Sequence, residues 1–228
     1  LRHIYERRGR GEVNIVAVAG DGATADCGFQ SLSGAAERGE KMLYVCYDNE
    51  GYMNTGYQRS STTTEGSRTS TTPLGSAISG KQQAQKYVPL ILAMHGVEYC
   101  ATATPWNMRD MVEKIEKGLA ASKRGFAYLH VFTPCPTGWS FPPDQTIEVS
   151  KLAVKSNMFP LWEYSGGKYT LNYKNPEPMP VSEFVKGIGK FKKLSAEQLA
   201  SVQHAADERY AVVSALAAIC AQKCRAGR

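Results

Sequence analysis

Hydrophobic residues along the chain fall into short β-branched runs separated by helical stripes. "VNIVAVAG" (13–20) is a continuous apolar run, the pattern of a strand covered on both faces. "GFQSLSGAAERG" (28–39) predicts a helix with Leu32, Ala35 and Ala36 on one face and Gly39 ending it. "KMLYVCYDN" (41–49) predicts a second buried strand, completing a βαβ unit. Residues 57–80 are rich in Ser, Thr and Gly with little hydrophobic pattern, and a loop of that length inside a domain is expected to be functional or ordered by a partner. A helix over 86–97, a short strand in "EYCATATP", an amphipathic helix over 107–122 and a central strand over 125–135 follow. The alternation predicts an α/β domain over 1–150, doubly wound around a mostly parallel sheet.

The pattern changes after residue 150. Two β-rich runs flank Gly166-Gly167 in "LWEYSGGKYTLNY", a hairpin signal. "NPEPMPVSEF" is a proline-rich linker, and Ser195 followed by Gln198 opens a long C-terminal helix through a capping box. Residues 151–228 are therefore expected to form a hairpin and helical arm that packs on the domain or on a partner.

Composition excludes more than it assigns. Hydrophobic content of 43% and charged content of 21% are those of a globular chain. The net charge of +6 is spread over "RHIYERRGRG", "KGIGKFKK" and "QKCRAGR", which read as solvated surface, and no nucleic-acid signature accompanies them. No apolar run approaches the ~18 residues of a membrane helix. Basic residues followed by "VNIVAVAG" mimic a signal peptide, but the apolar core is short and runs into Asp21. The chain starts at Leu1 and is expected to be the later part of a longer polypeptide. Cysteines at 27, 46, 100, 135, 220 and 224 show no disulfide framework, which fits a reducing, cytoplasmic setting.

Candidate chemistry begins at "GDG" (20–22), where a parallel strand hands over to a helix. Ligands of open α/β sheets bind outside the carboxyl ends of strands, glycines let a phosphate approach, and Asp21 offers a hard oxygen to Mg2+. Alone, the tripeptide is equally a tight turn. The 26 residues between Gly22 and Asn49 match one helix plus one strand, so Asp21 and Asn49 are expected side by side at one sheet edge. A carboxylate, an amide oxygen and a nearby carbonyl make half an octahedral Mg2+ shell.

GDG followed after such an interval by Asn resembles the thiamine diphosphate motif. "GDGATADCGFQSLSGAAERGEKMLYVCYDNEGYMNTGYQRS", "TPCPTGW" and "PLWEYSGGKYTLNY" together resemble the β subunit of pyruvate:ferredoxin oxidoreductase (pyruvate synthase), a 2-oxoacid:ferredoxin oxidoreductase. The resemblance implies thiamine diphosphate and Mg2+ as cofactors, with Asp21, Asn49 and the Gly51 carbonyl on the metal. Gly20, Gly22 and Ala23 would lie along the diphosphate, Tyr52 and Met53 against the cofactor, and Asn54 and Thr55 at its reactive end or the substrate. Without the resemblance, Asn54 is equally a turn residue. Cys135 resembles one ligand of a 4Fe–4S cluster. No CxxC occurs in this chain and a cubane requires four thiolates, so the others are expected from outside it.

The resemblance also implies ferredoxin, coenzyme A and further subunits of the α, γ and δ kind as partners. One of them, carrying the pyrimidine-binding domain, would supply the carboxylate that activates the cofactor, and loop 57–80 would close that interface. Oxalate or another 2-oxo acid remains an alternative substrate, and a non-catalytic Mg-diphosphate-binding assembly module an alternative of another class. "GSAISGKQ" (75–82) lacks the hydroxyl residue that follows a P-loop lysine. The histidines at 3, 95, 130 and 204 have no ligand spacing, and Cys220 with Cys224 shares a helix face without a third ligand.

Overall fold

A computed structural model describes residues 1–75 and 79–226, with side chains described to residue 222. A short helix α1 (Arg2–Arg7) leads into β1 (Val16–Gly20), a single π-helical turn (Gly22–Cys27), α2 (Phe29–Glu37) and β2 (Met42–Asp48). After the long loop come α3 (Val88–Ala93), β3 (Tyr99–Ala103), α4 (Met108–Ala121) and β4 (Phe126–Phe132). The chain continues through α5 (Pro136–Trp139) and α6 (Thr146–Lys155) to β5 (Trp162–Ser165) and β6 (Lys168–Leu171). It ends with α7 (Val181–Val185) and α8 (Ala196–Ala226).

The strands form one six-stranded sheet in the order β1-β2-β4-β3-β5-β6. β1 to β4 run parallel, and β5 and β6 extend the same sheet antiparallel. Apolar side chains alternate between two layers. Tyr128 and Cys46 face Leu32 and Ala36 of α2, whereas Leu43, Ala127 and Leu129 face Met111, Ile115 and Leu119 of α4. A third cluster joins Phe132, Trp139 and Phe159 to Phe184, Phe191 and Val202, and so ties the C-terminal segment to the sheet's carboxyl end.

β3 and β4 are buried throughout, as continuous apolar runs should be in a doubly covered sheet. β1 departs from that expectation. It is an edge strand covered on one face only, and Val16 and Val18 are 46% and 64% exposed. Gly166 and Gly167, both at positive φ, turn the β5–β6 hairpin. The capping box of α8 is complete, with Ser195 Oγ accepting from the Gln198 amide and Gln198 Oε1 from the Ser195 amide, both at 3.1 Å. The helix expected over 86–97 is confined to α3, which starts at Val88 with Pro89 in its first turn and gives way to Gly96 at positive φ. Among the described residues no helix is long and apolar enough to cross a membrane.

Candidate functional site

The carboxyl ends of β1, β2 and β4 deliver Asp21, Asn49 and Cys135 to one side of the sheet. The chain can turn there because Gly22 lies under the Tyr52 ring: a Cβ at Gly22 would come within 2.5 Å of it. Tyr52 is locked in place by its hydroxyl, which donates to the Gly22 carbonyl (3.1 Å) and to Asp26 Oδ2 (3.3 Å).

Asp21 is fully buried. Its Oδ2 accepts from Ser60 Oγ (2.5 Å) and Thr62 Oγ1 (3.0 Å), and its Oδ1 from the Asn49 amide at 3.4 Å. Burial, reinforced by the nearby Asp48 carboxylate, pushes the Asp21 pKa up to about 7. The Asn49 side-chain amide lies between Asp21 Oδ1 (3.0 Å) and the Gly51 carbonyl (2.9 Å). Turned one way, its nitrogen donates to both oxygens; turned the other way, its oxygen joins them as a third hard acceptor of the kind a divalent cation takes. Neighbouring ligands of an octahedral Mg2+ with bonds of 2.0–2.1 Å are about 2.9 Å apart. The residues present therefore fit half a magnesium shell.

Asp48 and Glu50 flank the half-buried Asn49 and are themselves buried. Asp48 accepts from His130 Nε2 (2.8 Å) and Thr62 Oγ1 (2.9 Å); burial pushes its pKa up, but His130 outweighs burial and holds it below the usual carboxylate value. Glu50 takes the left-handed conformation (φ 59°) and pairs with Lys190 Nζ at 2.7 Å. Burial draws Lys190 down to about 8 against the pull of Glu50. The basic run "KGIGKFKK", read as solvated surface, is thus corrected at this position. Lys190 is enclosed because Phe191 carries the segment into the third apolar cluster.

Ser60, Thr62, Thr63 and Thr64 fold inward onto Asp21, Asp48 and Glu50. They are held by Lys81, whose buried ammonium donates to the carbonyls of Thr63 (2.5 Å), Ser61 (3.2 Å) and Ala84 (3.3 Å). The lysine of the imperfect P-loop therefore organises this hydroxyl cluster. Residues 76–78, part of that stretch, lie outside the described residues. The run "SSTTT" was the available signal for these residues, whereas nothing local marks Lys190 or His130.

The remaining candidates separate. Met53 and Asn54 line a cavity of about 570 Å3 together with Cys135, Arg68 and Lys190. Thr55 turns away from the acceptor triangle, its hydroxyl closed onto Gln58 Oε1 at 2.5 Å. The Gly20 carbonyl accepts from Thr24 Oγ1, and Ala23 belongs to the π-helical turn. Cys135 caps α5, its Sγ accepting from the Gly138 amide at 3.5 Å. Among the described residues no group of three or more His, Cys, Asp or Glu could hold a metal. One thiolate does not fit a cubane cluster by itself, since such a cluster is held by four. Cys220 Sγ lies against the Tyr169 amide, and the Cys224 side chain lies outside the described ones.

Residues 7–131, which contain the acceptor triangle, match the family described as thiamine pyrophosphate enzyme, C-terminal TPP binding domain. The chain belongs to that family, beside the β subunits of the 2-oxoacid:ferredoxin oxidoreductases. It is 49% identical to the β subunit of NADH-dependent phenylglyoxylate dehydrogenase from Aromatoleum evansii, over 89% of this chain and 46% of the relative. Pyruvate synthase subunit PorB of Methanothermobacter marburgensis is 47% identical over 88% of this chain and 69% of its own length. Ketoisovalerate oxidoreductase subunit VorB of Pyrococcus abyssi is 44% identical over 87% and 64%. Among solved structures, a 2-oxoglutarate:ferredoxin oxidoreductase from Magnetococcus marinus, with 2-oxoglutarate, coenzyme A and succinyl-CoA bound, aligns with TM-score 0.50 and 28% identity over 58% of this chain and 43% of its own. This thiamine pyrophosphate enzyme chain thus spans less than half of the phenylglyoxylate subunit and about two thirds of the pyruvate and ketoisovalerate ones.

Proposed function

We propose that this chain is the thiamine diphosphate-binding subunit of a 2-oxoacid:ferredoxin oxidoreductase that oxidatively decarboxylates pyruvate. The observation that carries the reading is the triangle of acceptor oxygens from Asp21, Asn49 and Gly51. It supports a bound Mg2+ whose remaining positions are left for diphosphate oxygens and water. When bound, the cofactor supplies the carbon nucleophile and electron sink for decarboxylation, while the protein binds, orients and tunes.

Asp21 and Asn49 would hold the cation, and Ser60 and Thr62 would keep the Asp21 carboxylate aimed by occupying its other oxygen. Gly22 would let the diphosphate approach the backbone, and Tyr52 and Met53 would wall the cofactor. Asn54, at the edge of the 570 Å3 cavity, would meet the 2-oxo acid. Thr55 would act through the shape of the Tyr52–Gln58 turn that it closes. Cys135 would give one thiolate to a 4Fe–4S cluster completed from outside the described residues. Further subunits, ferredoxin and coenzyme A are the partners this reading requires.

The test uses the assembled complex. Mg2+ and thiamine diphosphate should bind the wild type, and Asp21→Ala should lose both binding and 2-oxo-acid-dependent viologen reduction. Unchanged turnover in Asp21→Ala would overturn the enzyme reading. Comparing pyruvate with ketoisovalerate and phenylglyoxylate as reductants decides the substrate.

A further inference from the structure

The turn that carries the acceptor triangle is held from a distant part of the chain. Glu50, between Asn49 and Gly51, keeps a left-handed backbone that non-glycine residues retain only when their surroundings over-determine it. All its polar groups are engaged. Its amide donates to Asp48 Oδ1 (2.8 Å), its carbonyl accepts from Thr63 Oγ1 (2.8 Å), and its Oε2 accepts from the Thr64 amide (2.9 Å) and hydroxyl (2.8 Å). Among the described residues, Lys190 adds the one direct charge, at 2.7 Å, from a short turn 140 positions later.

The Lys190 ammonium also lies 3.1 Å from the centroid of the Trp139 ring, whose Nε1 donates to the Asn49 carbonyl at 2.8 Å. One buried cation therefore grips both sides of the turn, directly through Glu50 and indirectly through the indole. Its own backbone is fixed, because its carbonyl accepts from the Arg68 amide at 2.8 Å and the preceding Gly189 amide donates to the Ser140 carbonyl at 3.1 Å.

We propose that Lys190 is a positioning residue for the cation site: through Glu50 and Trp139 it sets the turn that aims the Asn49 amide oxygen and the Gly51 carbonyl at Asp21. This rests on the magnesium–diphosphate reading and deepens it. Residues that orient metal ligands from behind typically change metal affinity by roughly 10–100-fold when removed, and that is the effect expected here. A role in folding alone would leave the affinity of the folded protein untouched.

The experiment measures Mg2+ and thiamine diphosphate binding by calorimetry in the complex containing this chain, with circular dichroism and thermal melting alongside. Removing one partner of a buried ion pair can unfold a protein, whereas removing both is tolerated, so the variant is Glu50→Gln with Lys190→Met. It should bind Mg2+ roughly 10–100-fold more weakly. The KM for thiamine diphosphate should rise while kcat recovers at saturating cofactor. Trp139→Phe keeps the ring under the ammonium but removes the indole N–H, and should weaken Mg2+ roughly three- to tenfold. Wild-type affinity in the folded double variant overturns the proposal, and if the double variant does not fold, wild-type affinity in Trp139→Phe does so. Should the wild-type complex itself bind no Mg2+ and cofactor, or Asp21→Asn bind as wild type, the underlying reading of the site fails instead.

Discussion

Nε2 of His130 lies 2.8 Å from Oδ2 of Asp48, and both side chains are buried inside the sheet. The ring's other nitrogen meets the Tyr128 hydroxyl at 2.7 Å, so the imidazole is held at both ends. Burial disfavours the imidazolium, but the neighbouring Cys46 sulfur and the Asp48 carboxylate outweigh it and raise the pKa from 6.5 to about 10. Because the folded value is the higher one, the stabilisation is complete below about pH 6.5 and lost as pH rises through about 10. Nitrogen-15 NMR should show a doubly protonated His130 ring at pH 8; a neutral tautomer there would contradict the assignment. His130→Leu leaves Asp48 buried and unpaired and should cost about 3–5 kcal/mol in stability, read from denaturant melts.

Glu163 governs the acid side of the hairpin. Burial raises its pKa, but Lys117 (2.8 Å), the Tyr99 hydroxyl (2.7 Å) and Asn172 (3.2 Å) outweigh burial and hold it below the usual value. A depressed carboxylate stabilises the fold above its unfolded pKa and loses that contribution as pH falls through the folded one. Glu163→Gln should therefore lower Tm at pH 7 and flatten the decline of Tm below about pH 4.5. An acid limb identical to the wild type's would show that Glu163 carries none of it.

Two glycines separate backbone strain from lack of room. Gly80 and Gly187 have similar positive φ, 72° and 80°, but a Cβ at Gly80 would fall 2.3 Å from the Gly66 carbonyl oxygen, while one at Gly187 meets nothing within 4 Å. Gly187→Ala should cost about 1 kcal/mol for the conformation alone. Gly80→Ala should cost about 2–4 kcal/mol, since backbone must also move. Equal costs in urea melts would mean that the Gly66–Gly80 contact is relieved without penalty.

Lys81 holds the hydroxyl cluster over Asp21. Lys81→Met takes the ammonium from the Thr63 and Ala84 carbonyls, while the Ser61 carbonyl keeps the Lys86 amide, and should destabilise by roughly 2–4 kcal/mol. Amide exchange should quicken across residues 60–64 before the sheet is affected. Uniform protection loss over the whole chain would instead point to global destabilisation.

Features that close on themselves over a short stretch were legible in the residues. One helix and one strand can return to the same sheet edge only over a narrow range of lengths, which is why the Asp21–Asn49 interval carried so much. The glycines of the hairpin and the capping box of Ser195 and Gln198 act on immediate neighbours, and both behave as their chemistry demands. Lys190 gives no local sign of its burial, because what encloses it is Glu50, 140 positions earlier, and Trp139. The same limit explains β1. Its own residues fit a central strand, but strand order decides coverage, and that order leaves Val18 exposed at an edge.

The separation of Glu50 from Lys190 has a consequence for timing. At about 5–20 residues per second of synthesis, the 140 intervening positions take on the order of ten to thirty seconds to appear. During that interval the strands that bear Asp21 and Asn49 exist without the cation that steadies the turn between them. The site thus cannot become competent until Lys190 has been made, long after the strands that carry its ligands.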